Sequence, residues 1–335
     1  MRITRESLLS IARETVAQKL RVDRQIVAVY LTGSMLGDDP SIGGAGDVDL
    51  FFVHNSEPAY PREIIRITDE ATLDIAHLNQ SVFRQPRRLR ADAWLGTFIT
   101  EHPLVLHDTG HWFEFIQASL SAQFNQPENV LQRARALSAL ARTCWTDMQS
   151  EAQTYPRRML TYLKGLENAA NAAAVISGAP LTERRFMTGF PERAEALGHA
   201  GLYDGLASML APQPPAEDAW PGWLDAWKAA LTQARSQDIM PVRLSALRQV
   251  YYEHAIKSQI TDLPASALWM LWRTWTLAVC YAPAGTPPQE EWLAACDALG
   301  LAEQNFAERV SALDAYLDTV DEALDDWGNE KGVAL

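Results

Sequence analysis

The sequence predicts an α+β protein: a first third that mixes strands and helices, followed by an all-α remainder. Three observations carry this. Up to residue 110, short β-branched and aromatic runs alternate with Gly, Asp and Asn, the mark of strands and turns. From about residue 111, Ala, Leu, Glu, Gln and Arg dominate, and apolar residues recur three and four apart. The length of 335 residues also exceeds what one hydrophobic core of roughly 250 to 300 residues fills. Two domains are therefore expected, 1–115 and 116–335.

Residues 4–20 carry both charge signs over an amphipathic period and read as a helix, without the apolar core of a signal peptide. Residues 26–32, IVAVYLT, read as a strand, followed by a glycine-bearing loop and a second strand at 48–54. After Glu57-Pro58, residues 62–68 and 72–78 read as two strands joined by Asp69-Glu70-Ala71, a hairpin. Residues 85–100 read as helix and 103–108 as a short strand, with Gly110 ending the block. In the second domain, Pro-rich breaks at 211–218 and 282–291 are each followed by acids and Trp, the chemistry of a helix start. The apolar stretch 266–285 is interrupted by Arg273 and is too short to span a bilayer, so it reads as a buried helix. Most of the eleven tryptophans fall at helical spacing and are assigned to core packing.

With 29 Lys+Arg against 42 Asp+Glu, the formal charge is -13 and the pI about 5.0, a poor field for gripping nucleic acid backbones. Cys144, Cys280 and Cys296 are too few for a disulfide framework or a zinc site, and suit a reducing cytoplasm. Residues 299–335 hold nine acids against two bases. Asp314, Asp318, Asp321 and Asp325 share one helix face there, either solvated or forming a wall that attracts a polycationic molecule.

The chemistry concentrates early. Gly33-Ser34 follows the first strand directly, and Asp47-Val48-Asp49-Leu50 opens the second. Side chains alternate along a strand, so Asp47 and Asp49 point to one side while Val48 and Leu50 face a core. Two carboxylates held side by side repel unless a cation sits between them, and Mg²⁺, which takes oxygen ligands and phosphates together, suits that position. Asp74 is a third acid on the later strand, flanked by apolar residues where its charge also calls for a cation. Gly33 offers a backbone that a triphosphate can approach closely, and Ser34 a hydroxyl and an N–H at a helix start. Metal on one side and phosphate on the other describe a site for phosphoryl chemistry on a nucleotide.

These residues resemble the nucleotidyltransferase superfamily, which includes DNA polymerase β, the aminoglycoside (kanamycin) nucleotidyltransferases and the minimal nucleotidyltransferases. The shared pattern is an apolar strand, Gly-Ser, a short gap, Asp-apolar-Asp, then a third acid on a later strand; it extends from Ile26 to Leu78, with Val105-Leu106-His107-Asp108 similar to the family's closing strand. The resemblance implies a mixed sheet with flanking helices, and two Mg²⁺ ions held by Asp47, Asp49 and Asp74. It also implies ATP or another NTP as co-substrate. The chain departs from the family after Ser34, where no basic residue follows, so triphosphate charge must be met from elsewhere. Arg88, in the basic cluster Arg84, Arg87, Arg88 and Arg90, is one candidate. Lys164 is another: it lies on the amphipathic segment 155–177, opposite the apolar stripe of Met159, Leu163, Leu166, Ala170 and Ala173, and resembles a lysine of the aminoglycoside enzymes.

The expected activity is transfer of a nucleoside monophosphate, most simply AMP, to a hydroxyl of a small molecule such as an aminoglycoside, with release of pyrophosphate. Asp74, or Asp147, Glu151 or Glu167 of the helical domain, would accept the proton. Two alternatives stay open, a toxin–antitoxin-type enzyme that adenylylates a protein and a nucleotide-binding protein without turnover. No nucleic acid or membrane partner is expected. His54 and His77, at strand ends near the acids, read as hydrogen-bonded structural residues.

Overall fold

The computed structural model describes residues 4–37, 40–150, 152–237 and 240–333. The chain divides into two compact units, Met1–Asn129 and Val130–Leu335. The first unit is a five-stranded mixed sheet with helices, and the second is helical, the α+β class expected. The division drawn from sequence at 115/116 falls inside a helix, Trp112–Phe124, whose Phe113 and Leu120 are buried in the core of the first unit.

The first unit begins with α1 (Arg5–Val22), capped by Thr4, whose hydroxyl accepts the Ser7 N–H while Ser7 returns a bond to the Thr4 N–H. Then come β1 (Ile26–Thr32), β2 (Gly46–His54), β3 (Arg62–Arg66) and β4 (Ala71–Asn79), matching the strands read from alternation. Two short helices, α2 (Pro86–Arg90) and α3 (Leu95–Thr100), occupy the segment expected as one helix. Asp92 separates them, its side chain accepting the N–H groups of Trp94 and Leu95 at 2.9 Å. β5 (Leu104–Asp108) and α4 (Trp112–Phe124) follow.

The strand order is β3-β4-β2-β1-β5. The hairpin β3–β4 is antiparallel, as expected from the Asp69-Glu70-Ala71 connection, and β2 pairs β4 in parallel. Alternation splits the sheet into two faces. One packs Val29, Leu31, Val48, Leu50, Leu73 and Ile75 against Leu8, Ala12 and Val16 of α1. The other packs Ala28, Tyr30 and Val53 against Phe83, Leu89, Ile99, Phe113 and Leu120.

The second unit contains α5 (Pro127–Met148, which begins just before the division), α6 (Tyr155–Ala174), α7 (Phe186–Ala196), α8 (Gly201–Leu210) and α9 (Ala219–Ala234). It continues through α10 (Ala246–Gln259), α11 (Pro264–Tyr281), α12 (Pro287–Ala298) and α13 (Phe306–Glu330). The tryptophans assigned to packing are there: Trp227, Trp269, Trp272, Trp275 and Trp292 are fully buried. Arg273, which interrupts the apolar run of α11, is buried between two carboxylates, Glu167 Oε2 at 2.6 Å and Glu183 Oε1 at 3.0 Å. No described helix is long and apolar enough to cross a membrane.

The acidic stripe of α13 is met from within its own unit. Arg142 of α5 reaches Asp314 at 2.9 Å, Asp318 at 2.6 Å and Asp321 at 2.8 Å, and Arg135 bonds Asp321 and Asp325. Two guanidinium groups thus offset part of the charge that an acidic wall would present to a polycation.

Candidate active site

Strand pairing brings the three acids together. Asp49 stands directly opposite Asp74 across the parallel β2–β4 ladder, and Thr32, the last residue of β1, stands opposite Asp49 on its other side. Asp47 lies two residues along β2 on the same face. One carboxylate oxygen from each of Asp47, Asp49 and Asp74 lies within 4.8 Å of the others, and no other such group occurs among the described residues. Asp47 and Asp74 are buried and Asp49 half-buried.

A hard divalent cation fits this donor set. Mg²⁺–oxygen bonds of about 2.1 Å put neighbouring ligands about 3.0 Å and opposite ones about 4.2 Å apart, both inside the 4.8 Å limit. All three donors are carboxylate oxygens, the ligand type that Mg²⁺ takes.

Gly33 sets how closely the backbone approaches this cluster. Its φ is +76°, and a Cβ built on it would stand 2.3 Å from Oδ2 of Asp49. Only glycine accommodates both the left-handed backbone and the close approach. Ser34 is the second residue of a short turn, Gly33–Leu36, and its hydroxyl donates to the Pro40 carbonyl at 3.1 Å, a bond it must exchange to donate to a phosphate. Arg5 of α1 fastens the end of that turn, its Nε donating to the Met35 carbonyl at 2.8 Å. The loop returns to β2 through a tight turn, where Ile42 and Ala45 bridge around Gly43 and Gly44, both at positive φ.

The residue that sequence reasoning missed is Arg62. Its Nε and Nη2 each donate to Asp74, to Oδ1 and Oδ2 respectively, at 2.6 Å. Part of the positive charge sought beside Asp74 therefore comes from the protein itself. The signal was present: in the β3–β4 hairpin Ile64 stands opposite Asp74, so Arg62, two residues away, shares the Asp74 face. An ionised carboxylate offers about four acceptor positions, and the Arg62 fork takes two of them.

The expected basic residues lie on helices of the two units. Arg88 is exposed on α2, and its neighbour Arg90 is turned onto the Ser119 carbonyl at 2.9 Å. Lys164 is exposed on α6 in the second unit and lines a small cavity of about 40 Å³ with Glu183, Arg243 and Arg273. On the same helix Asn171 is fully buried, its side chain bonded to both the N–H and the carbonyl of Leu181. Of the proposed proton acceptors, Glu167 is committed to Arg273, Asp147 is exposed on α5, and Glu151 lies outside the described residues. His54 and His77 are hydrogen-bonded to each other, as expected of structural histidines, but alternation places them on the α1 face, opposite the acids.

No family model matches this sequence, and no curated protein matches it. Among solved structures, a nucleotidyltransferase-like protein from Exiguobacterium sibiricum 255-15 aligns with 94% of this chain and 91% of its own, at 11% identity and a TM-score of 0.33.

Proposed function

We propose that the protein is a divalent-metal-dependent nucleotidyltransferase, moving a nucleoside monophosphate from an NTP to a hydroxyl of a small molecule with release of pyrophosphate. The observation that carries this reading is the convergence of Asp47, Asp49 and Asp74 from two neighbouring parallel strands, directly beside the backbone of Gly33. Three acids gathered on rigid elements suit a cation cradle, and Gly33 lets the backbone lie directly against it.

Asp47 and Asp49 would hold Mg²⁺, with Asp74 as the third ligand. Bound there, the metal would neutralise phosphate charge and lower the pKa of an attacking hydroxyl. The chain's own contribution is position. The β1–β2 and β2–β4 ladders hold the carboxylates, Arg62 orients Asp74, and Gly33, having no Cβ, makes room for the Asp49 carboxylate. Arg88 is proposed to meet triphosphate charge in the first unit; Lys164 is proposed on resemblance alone, and Lys164→Ala should raise the KM for NTP if it takes part.

The test is incubation with Mg²⁺ and each α-labelled NTP against aminoglycosides, small metabolites and cell lysate, following the label. Transfer to a small hydroxyl compound, lost in a folded Asp49→Asn protein, supports the reading. Label on a lysate protein alone replaces the small acceptor with a protein one. NTP binding by calorimetry, indifferent to Mg²⁺ and without transfer, makes the protein a nucleotide binder instead.

A further inference from the structure

A cavity of about 510 Å³ opens on the α1 side of the sheet, the face opposite the acid cluster. Its volume lies in the range of small-molecule sites, roughly 300 to 1,000 Å³. Ile26, Pro58, Ala59 and Tyr60 give it an apolar wall, and the buried imidazoles of His54 and His77 line its deep end. Tyr60 is 47% exposed and stands edge-on to His77 with ring centroids 5.0 Å apart, so much of an aromatic side chain remains unused by the fold.

The charges around the cavity are unbalanced. Asp23 and Glu57 line it, and Glu63 of β3 stands behind His77 at 3.4 Å. The lining cation, Lys19, is committed to Glu63. Asp23 Oδ1 accepts the Gln25 N–H at 2.8 Å and Oδ2 faces His54 Nδ1 at 3.3 Å, while Glu57 accepts from Asn79 at 3.2 Å. In these contacts Asp23 and Glu57 meet an amide, an imidazole and an asparagine side chain rather than a lysine or arginine.

The histidines add no cation to offset this. They form a line, Asp23···His54···His77···Glu63, in which the two rings meet at 2.9 Å. Burial lowers the pKa of both, His77 further through repulsion from His54, although Asp23 and Glu63 oppose the shift. Two neutral imidazoles supply two N–H donors for three contacts, so the line lacks one proton.

We propose that this cavity is a second ligand site, distinct from the acid cluster, for a small organic cation carrying a flat apolar ring. The ring lies against Tyr60 and the apolar wall, and the positive group faces Asp23 and Glu57. A proton taken up by the histidine line competes with such a ligand, because both add positive charge in the same place.

Benzamidinium and benzoate share a ring and carry opposite charges, which makes them the probes. The full chain is titrated with each in the presence of EDTA, and the imidazole Cε1–H resonances are followed by NMR, those of His54 and His77 being assigned by their loss in His54→Gln and His77→Gln. The expected result is a saturable shift of these two resonances with benzamidinium, none with benzoate, and weaker binding as pH falls. The double variant Asp23→Asn/Glu57→Gln should weaken binding at least tenfold, and the solvent-facing Tyr60→Ala should weaken it without the folding risk of the double variant. Asp49→Asn should bind like the parent. Absence of a saturable shift, an equal response to benzoate, or loss of binding in Asp49→Asn would overturn the proposal.

Discussion

Gly33 and Asp49 form one steric unit: a Cβ on the glycine would lie 2.3 Å from the Oδ2 atom of the aspartate. Gly33→Ala therefore combines left-handed strain with a clash against a candidate metal ligand. It should destabilise the protein by about 1–3 kcal/mol in urea unfolding. In the double variant Gly33→Ala/Asp49→Ala the clash disappears and the strain remains, so the two changes should be non-additive by more than about 0.5 kcal/mol. Additivity would mean that the close approach is absent in solution.

Metal binding should appear as stabilisation. At one hundred times its dissociation constant, Mg²⁺ should raise the unfolding free energy by about 2.7 kcal/mol, read as a rise in Tm. Asp47→Asn and Asp49→Asn should abolish that rise.

Arg62→Gln removes the two-pronged partner of a buried carboxylate. Because the Arg62 side chain is 43% exposed, the cost should be about 1–3 kcal/mol, less than for a fully buried pair. If Asp74 is a metal ligand, Mg²⁺ should restore more stability to this variant than it adds to the parent. Equal increments would assign Asp74 to Arg62 alone.

The buried histidines predict acid sensitivity with a definite sign. Their folded pKa values lie below the free imidazole value near 6.5. The unfolded chain therefore binds more protons on falling through that value, and stability declines from there until the folded histidines titrate in turn. The slope is at most about 1.4 kcal/mol per pH unit per proton. His77→Gln should flatten this part of the pH–stability profile. An unchanged profile would show that the pair is not responsible.

Arg142 joins three aspartates of α13 to α5. Arg142→Gln should lower stability by about 1–2 kcal/mol in dilute buffer, and added salt should narrow the difference from the parent, since these partly exposed charges are screened. A difference independent of salt would point to packing by the guanidinium stem instead.

Local periodicity was enough for the strands of the sheet and for the pair of acids. Alternation in IVAVYLT and GDVDLFFVH specifies strands with one apolar face, and period two alone places Asp47 and Asp49 together. Gly33 was legible as a close-approach residue for the same local reason. Tertiary structure decided which strands became neighbours, and hence that Asp74 faces Asp49 across a parallel ladder. It also turned Arg62 onto Asp74, set His54 against His77, and brought Arg142 onto the acidic stripe of α13. Periodicity reports the side on which a residue lies within its own element; the partner it meets there depends on chain-distant pairing, which no local pattern encodes.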